Sequence, residues 1–363
     1  MNNFALNVPI NSVSFGQTSI ALLREIKSRN LDPVIFPIGN PDIGAQKPDN
    51  DFNAFLQKNI NRAISSHKRD TPIFKLWHLS GSLESFSNKQ VLLSFLETDS
   101  PTAEEINTVK NNAKVFFTNQ YTVNLFKDYG LTNVEYLPLF LDSYNFYKKD
   151  KTYFTDGRIS FLCTGKFESK RKKQDRIIRS WIKKYGNNPK YHLVCNIFNP
   201  FIKPEDNQKI WGDIVGNQRV GNITFLGWMP SNEQVNDMIN SIDVVIGCGS
   251  EGWGIPEFSA TALGKNAVIL NCAGYKSWCN ELNACLIQPN SKHPAYDGMF
   301  FHQGQPYNQG NFFDYSDDEF LAKCDEAIER VNKNRVNVEG LKLQEEFTVK
   351  KTVDKILEAL EQV

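Results

Sequence analysis

The chain has 363 residues, which is more than one ordinary domain needs and suits two. Apolar residues make up 40% of it and charged residues 23%, a globular composition that argues against disorder. The 41 basic and 41 acidic side chains cancel, so no overall field attracts nucleic acid or an anionic membrane. Anion binding must therefore depend on local groups of basic residues. Contact with a membrane is expected to be at most peripheral, through the basic stretch 170–184.

The seven cysteines include no C-x2-C pair, so neither a disulfide framework nor a zinc site is predicted. The N-terminus lacks the basic start and apolar core of a signal peptide. No apolar run approaches the roughly 20 residues that span a bilayer. We therefore expect a cytoplasmic protein.

In chain order, short apolar runs alternate with segments of helical period, which predicts an α/β architecture with parallel sheets. The first half has strand-like runs at 4–10, 32–39, 73–81, 90–99, 113–120 and 134–142, and helical segments at 17–30, 102–112 and 121–130. The polar and aromatic stretch 142–157 has no clear period and is predicted to be a connector.

The alternation then restarts. Strands are predicted at 158–166, 190–198, 222–229, 243–249 and 267–274, and helices at 173–186, 231–241, 256–264 and 348–363. We predict two Rossmann-like doubly wound domains, 1–150 and 151–345, that face each other across a cleft. Ligands in such sheets bind beyond the carboxyl ends of the strands. The aperiodic stretch 288–316 is predicted to be either a lid, an acceptor-contacting loop or a simple surface insertion.

The segment "GSEGWGIPEFSATALG" (249–264) combines a flexible loop with a helix start. Pro256 suits the first turn of a helix, where backbone amides form a seat for a phosphate. Glu251 lies in the loop after a buried strand and can accept hydrogen bonds from sugar hydroxyls. The presence of Glu257 in the first turn of this helix is explained by the helix macrodipole alone as well as by a role in ligand binding. Glu251 is therefore the stronger functional candidate.

A basic block, "FLCTGKFESKRKKQDR" (161–176), follows another predicted strand. Its six basic side chains form a local concentration suited to a diphosphate: Lys166, Lys170, Arg171, Lys172, Lys173 and Arg176. We expect most of them to be solvated at a helix start and one or two to bind a ligand. Lys166, directly after the strand, is the best candidate.

These two blocks, with "ITFLGWM" (223–229) and "FTVKKTVDKILEAL" (347–360), have the order and spacing of retaining glycosyltransferases of the GT-B fold. The chain resembles the group 1 (family 4) type over most of 158–287 and the last helix. The resemblance implies that Lys166 and Arg171 neutralise the diphosphate of a nucleotide sugar, and that Glu251 is the first acid of the E-x7-E motif. Ser259 stands where the family has its second Glu, which leaves a weaker hydrogen bond for the ribose.

In the first half, the resemblance places His78, in "FKLWHLSGS" (74–82), next to the donor sugar; a packed histidine beside Trp77 is the alternative. Gly16 can let the backbone approach a ligand. Glu97 and Asp99 follow another strand, and either can line the acceptor side; Asp99 can instead cap the next helix.

The letters of the metal-binding Asp-x-Asp motif occur at Asp49 and Asp51, in a polar loop that no predicted strand precedes. We therefore predict no metal site there.

The resemblance thus implies a retaining, metal-independent hexosyltransferase that uses a UDP- or GDP-sugar, a glycan or other hydroxyl acceptor, and no cofactor. The first domain would face the acceptor, the second would bind the nucleotide sugar, and a C-terminal helix at 346–363 would pack back toward the first. The catalytic residues it implies are His78, Glu251, Lys166 and Arg171, and the donor-binding residues are Gly16, Met229, Gly252, Trp253, Gly254, Ile255, Pro256, Glu257 and Ser259. A sugar-nucleotide epimerase and a non-catalytic nucleotide- or glycan-binding protein remain alternatives.

Overall fold

The computed structural model describes residues 3–298 and 300–363, and its first half is built on one parallel sheet. The strands are β1 (Ala5–Pro9), β2 (Val34–Ile38), β3 (Ile73–Leu76), β4 (Gln90–Ser94), β5 (Lys114–Phe117) and β6 (Val134–Tyr136). They pair in the order β2-β1-β3-β4-β5-β6, and each neighbouring pair is parallel.

The second half repeats this plan with β7 (Ile159–Thr164), β8 (Tyr191–Asn196), β9 (Ile223–Phe225), β10 (Val244–Gly247), β11 (Asn266–Leu270) and β12 (Cys285–Ile287). This sheet has the order β12-β11-β10-β7-β8-β9 and is also parallel throughout. The two doubly wound sheets confirm the predicted fold class. A hairpin of β13 (Ser291–Pro294) and β14 (Asn311–Asp314) lies outside them.

The helices cover the sheets, which explains why strands such as β7 and β11 are buried along their whole length. They are α1 (Ser14–Ser28), α2 (Asn50–Asn61), α3 (Ala63–Ser66), α4 (Ala103–Lys110), α5 (Gln120–Asp128), α6 (Gln174–Tyr185), α7 (Pro204–Val215), α8 (Asn232–Ser241), α9 (Ile255–Ala262), α10 (Asp317–Lys333), α11 (Val338–Leu341), α12 (Leu343–Glu346) and α13 (Val349–Gln362). In the part of the chain that the structure describes, none of them is long and apolar enough to cross a membrane.

The Asp-x-Asp letters at Asp49 and Asp51 belong to a helix start rather than to a loop. The side chain of Asp49 accepts a hydrogen bond from the N–H of Phe52 and so caps α2. Arg24 donates to the same carboxylate at 2.8 Å. Capping and this ion pair explain Asp49 without a metal ligand role.

The end of the chain returns to the first sheet. The N–H of Leu141 donates to the carbonyl oxygen of Phe347 at 3.1 Å, and Thr352 donates to the carbonyl oxygen of Pro138 at 3.1 Å. Helix α13 then packs against α1, where Arg29 pairs with Asp354 at 2.6 Å. The last helix therefore fastens the second half of the chain to the first.

Candidate active site

Each sheet has one point at which the strand order reverses. In the first sheet it lies between β1 and β3, and in the second between β7 and β10. Helices leave such a pair of strands in opposite directions, so a crevice opens beyond their carboxyl ends, and ligands of doubly wound sheets bind there. The segments that follow these four strands contain most of the predicted site residues.

On the side of the second sheet, a carboxylate joins two of the basic side chains. The guanidinium of Arg171 lies 2.9 Å from Oε1 of Glu251, and Nζ of Lys172 lies 2.6 Å from the same atom. Arg171 also donates to Glu168 at 2.7 Å, and Lys166 pairs with the other oxygen of Glu168 at 2.5 Å. The structure thus brings Lys166, Arg171 and Glu251 together, as predicted, and adds Glu168 and Lys172 to them.

The backbone between β7 and α6 folds so that these side chains turn inward. Lys173, the N-cap of α6, has a left-handed φ of 56°. The side chain of Gln174 accepts from the N–H of Glu168 at 2.8 Å and donates to the carbonyl oxygen of Gly165 at 2.9 Å. The N–H of Ser250 donates to the carbonyl oxygen of Arg171 at 3.1 Å. The loops after β7 and β10 are therefore tied together by main-chain and side-chain bonds.

The expectation that most of the basic block is solvated is wrong. Only Lys170 is exposed. Lys173 donates to the carbonyl oxygen of Phe313 at 2.7 Å, and Arg176 pairs with Asp314 at 2.7 Å. These two cations hold the hairpin, which reduces the positive charge available for contact with a membrane.

Lys166, Glu168, Arg171, Lys172 and Glu251 form a charged cluster, and its two carboxylates are ionised at neutral pH. Burial raises the pKa of Glu168, but the charges of Arg171, Lys172 and Lys166 outweigh it and lower that pKa to about 2. Burial also raises the pKa of Glu251, but the charges of Arg171 and Lys172 lower it by more. The pKa of Glu251 therefore lies below its ordinary value. Three cations therefore face two carboxylates, which leaves a positive surplus.

Helix α9 begins at Ile255, so Pro256 lies in its first turn as predicted. Gly254 before it has a left-handed φ of 79°, and a Cβ there would lie 2.2 Å from the ring of Tyr275. A side chain at this position would be both strained and blocked. The tight turn explains why the loop needs a glycine immediately before the helix.

Several predicted donor-binding residues of this loop are buried. The ring of Trp253 packs against Phe258 and Phe347, and Gly252 and Ser259 are also buried. A ligand in the crevice can therefore contact Trp253 only at its backbone. Ser259 likewise exposes little surface for the weak hydrogen bond to the ribose that was predicted for it.

Glu257 is 4% exposed, and its Oε2 has no hydrogen-bond partner among the described residues. Burial raises its pKa to about 7. With Lys172, Glu251 and Tyr275 it lines a small cavity behind the cluster. Glu257 is thus a carboxyl group without a strong partner, and its protonation changes near neutral pH.

On the side of the first sheet, His78 follows β3 and is exposed. Its ring lies 4.5 Å from that of Phe15, which follows β1. Although solvent reaches the ring, the protein groups around it desolvate it and Arg171 repels its charged form, so its pKa falls to about 4. His78 is therefore neutral at pH 7 and can both donate and accept a hydrogen bond.

The missing side chain of Gly16 serves the protein's own packing. A Cβ there would lie 2.2 Å from Oδ1 of Asn11, so the space belongs to Asn11 at the start of α1. Met229 follows β9, two strands from β7, and packs partly buried against the core. Contact of either residue with a donor stays a prediction.

The two walls of the crevice touch at Gly252. Thr118, which follows β5, donates from its hydroxyl to the carbonyl oxygen of Gly252 at 2.5 Å. A Cβ on Gly252 would lie 2.7 Å from the ring of Phe95, which follows β4. Glycine at this position therefore permits the close approach of the two domains.

The segment 288–316 bridges the two domains through its hairpin. In the second domain, the N–H of Phe313 donates to the hydroxyl of Ser250 at 2.9 Å. In the first, Asp99 pairs with Lys292 at 2.9 Å and accepts from the N–H of Asn311 at 2.8 Å. Asp99 thus bonds to the hairpin, and the cap of α4 is Thr102 instead.

No protein-family model matches the sequence, and no curated protein sequence matches it. Solved structures, in contrast, resemble the chain over its whole length. Sucrose-phosphate synthase from Thermosynechococcus elongatus is similar with a TM-score of 0.68 at 11% identity, over 100% of this chain and 99% of that one. The two parallel six-stranded sheets with alternating helices agree with two Rossmann-like domains, as in glycosyltransferases of this kind. The chain has the GT-B fold.

Two further GT-B structures show comparable similarity. The α,α-trehalose 6-phosphate synthase from Burkholderia multivorans has a TM-score of 0.65 at 11% identity, over 100% of this chain and 99% of that one. The Anabaena protein HepE, in complex with UDP-glucose, has a TM-score of 0.66 at 13% identity, over 100% of both chains. At these identities the similarity shows the fold, and the family 4 subtype stays a prediction.

Proposed function

We propose that the chain is a retaining glycosyltransferase that moves a sugar from a nucleotide-diphosphate sugar to an acceptor hydroxyl. One observation carries this proposal: Arg171 and Lys172 meet Glu251 beyond the reversal point of the second sheet, opposite His78 of the first. Cations suited to a diphosphate and groups suited to sugar hydroxyls therefore line one crevice.

The difficult step in such a reaction is the departure of the nucleoside diphosphate from the sugar carbon. Negative charge develops on the phosphate oxygen as that bond breaks, and fixed cations stabilise it without reorganising. Lys166, Arg171 and Lys172 would act in this way, and their partial burial would strengthen the effect. The acceptor oxygen would bond to the same face of the sugar, and its proton would pass to the departing phosphate oxygen, as in the front-face mechanism of the family that the chain resembles.

Ligand binding would change the pairing inside the cluster. A diphosphate would compete with Glu251 and Glu168 for Arg171 and Lys172. When Glu251 gives up part of its ion pairs, its carboxylate would accept hydrogen bonds from the donor sugar. Neutral His78 would orient the sugar from the opposite wall, since it can donate and accept at once.

The donor is proposed to be a UDP- or GDP-sugar. HepE, similar in fold, is described in complex with UDP-glucose, which favours uridine. The three cations would neutralise the leaving group, so we propose that neither a metal ion nor a cofactor is needed. A sugar acceptor agrees with the names of the sucrose-phosphate and trehalose 6-phosphate synthases.

Calorimetric titration with UDP, GDP, ADP and their glucose conjugates tests this function. Each ligand is titrated in the presence and in the absence of EDTA. We expect one nucleotide family to bind, with no effect of EDTA. Lys166→Met should weaken that binding about 10- to 100-fold, because a charge-assisted contact to phosphate is lost. Arg179→Met is the matched control, since among the described residues Arg179 pairs with Asp175 alone, on the surface of α6. Failure of every nucleotide to bind, or equal effects of the two variants, would contradict the proposal.

A further inference from the structure

The loops that follow β1, β3, β4 and β5 form one wall of the crevice, on the side of the first domain. Residues 10–17, 77–82, 95–102 and 118–122, which follow β1, β3, β4 and β5, contain no lysine or arginine, and the structure describes all of them. Their titratable groups are His78, Glu97, Asp99 and Tyr121. A phosphate group that approaches these four loops would therefore find no lysine or arginine within them.

The two acids of this wall differ in what they bind. Asp99 is engaged with Lys292 and with the N–H of Asn311. Glu97 is half-buried, and within the described residues its carboxylate has no hydrogen bond or ion pair. A partly buried carboxylate without a partner forgoes the bonds that would offset its loss of water. Glu97 is therefore available to a ligand, whereas Asp99 is not.

Glu97 faces the charged cluster of the other domain. Phe95, two residues before it, contacts Gly252, next to Glu251. Burial raises the pKa of Glu97 to about 6, and the charges of Arg171, Glu251 and Glu168 act on it across the crevice. Arg171 is itself held by Glu251 and Glu168. Glu97 therefore lies in the loop of the first domain that meets the loop of Glu251.

Resting on the function proposed above, we propose that Glu97 is a specificity-determining residue that binds a hydroxyl of an uncharged acceptor and rejects a phosphorylated one. A carboxylate accepts hydrogen bonds from hydroxyl groups and repels a phosphate. The lysine that the hairpin adds on this side, Lys292, is already paired with Asp99. This chain would thus differ from proteins of the same fold that are named for phosphorylated sugars.

Matched acceptor pairs test the proposal. UDP release from UDP-glucose is measured with glucose against glucose 6-phosphate, and with fructose against fructose 6-phosphate. In the wild type, we expect the neutral member of a pair to give at least about a 10-fold higher kcat/KM. Glu97→Gln should lower the KM for the phosphorylated member and so bring the two kcat/KM values closer together. Glu97→Lys should reverse the preference, so that the phosphorylated member has the higher kcat/KM. Glu104→Gln is the control, because Glu104 is exposed on α4.

Preference of the wild type for the phosphorylated sugar, or a ratio that Glu97→Gln leaves unchanged, would overturn the proposal. A failure of the transferase function itself is distinguishable, because the wild type would then release UDP with neither member of either acceptor pair. The variants remain informative if one of them folds poorly, since the ratio of two acceptors is measured within the same protein sample.

Discussion

Arg171 and Glu251 are 80 residues apart along the chain, and their side chains pair at 2.9 Å. The pair joins the two loops between which the strand order of the second sheet reverses. Because Glu168 and Lys172 complete the cluster, each charge in it has an opposite neighbour. The site is therefore ordered by its own charges before any ligand arrives.

Removing Glu251 should affect both stability and turnover. Glu251→Ala would leave two partly buried cations short of a counter-ion, and breaking a buried pair costs about 3 to 5 kcal/mol of unfolding free energy. Turnover should be abolished because the donor sugar loses its hydrogen-bond acceptor. Chemical denaturation and a transfer assay measure the two effects. Asp175→Ala, which breaks only the partly exposed pair with Arg179, should cost no more than about 1 kcal/mol; a similarly small cost for Glu251→Ala would contradict the prediction.

Glu257 should make the protein less stable as the pH rises. Its pKa is about 7 in the folded chain against an ordinary 4.5, so between these values the native state binds more protons than the unfolded state. Unfolding free energy then falls with rising pH over this window, by about 3 kcal/mol at most. Glu257→Gln should flatten this slope and be the more stable protein at pH 8.

Denaturation curves at pH 5, 6, 7 and 8 check the Glu257 prediction, with Glu281→Gln as an exposed control. A wild-type slope that Glu257→Gln leaves unchanged would show that Glu257 does not titrate in this range.

The turn before α9 should not tolerate a side chain. Gly254→Ala would place Cβ 2.2 Å from the ring of Tyr275 at a φ of 79°, and we expect it to cost about 2 kcal/mol or more. Gly212→Ala is the matched control, since Gly212 lies within α7 with no atom within 4 Å of the added Cβ. That variant should instead stabilise the chain by about 0.5 to 1 kcal/mol. Equal melting temperatures of the two variants would refute the geometric argument.

The hairpin should loosen when its contact with the first domain is cut. Asp99→Ala removes the bonds to Lys292 and to the N–H of Asn311. Amide hydrogen exchange in 291–298 and 300–314 should become faster, because exchange follows local opening. The hairpin is still held by Lys173 and Ser250, so global unfolding should change less than local exchange. Unchanged protection relative to Asp128→Ala, on the exposed end of α5, would rule out this role.

The fold followed from the sequence because both halves alternate apolar strands with helical segments in the same way. Helices α2, α7 and α10 were not predicted, although the signals were present. Asp49 precedes α2 as a cap, Pro204 begins α7, and Ser316 with three acids begins α10.

The candidate site was predicted in part. The resemblance pointed to Arg171 and Glu251, but a run of basic residues does not reveal which side chain turns inward. The left-handed backbone at Lys173 decides that Lys172 reaches Glu251. Glu168 could have been found as the acid that lies between Lys166 and Lys170 in the basic block. The partner of Asp99, in contrast, lies 193 residues away along the chain, and no local pattern indicates it.

Proton NMR of the reaction with UDP-glucose tests the central claim most directly, using whichever acceptor of the matched pairs releases UDP fastest. The glucose of this donor is α-linked, so a retaining transferase produces an α-linked product, recognised by its anomeric coupling constant in the first minutes. We expect the α-linked product, formed equally well with EDTA and lost in Glu251→Ala. A β-linked product would contradict the central claim.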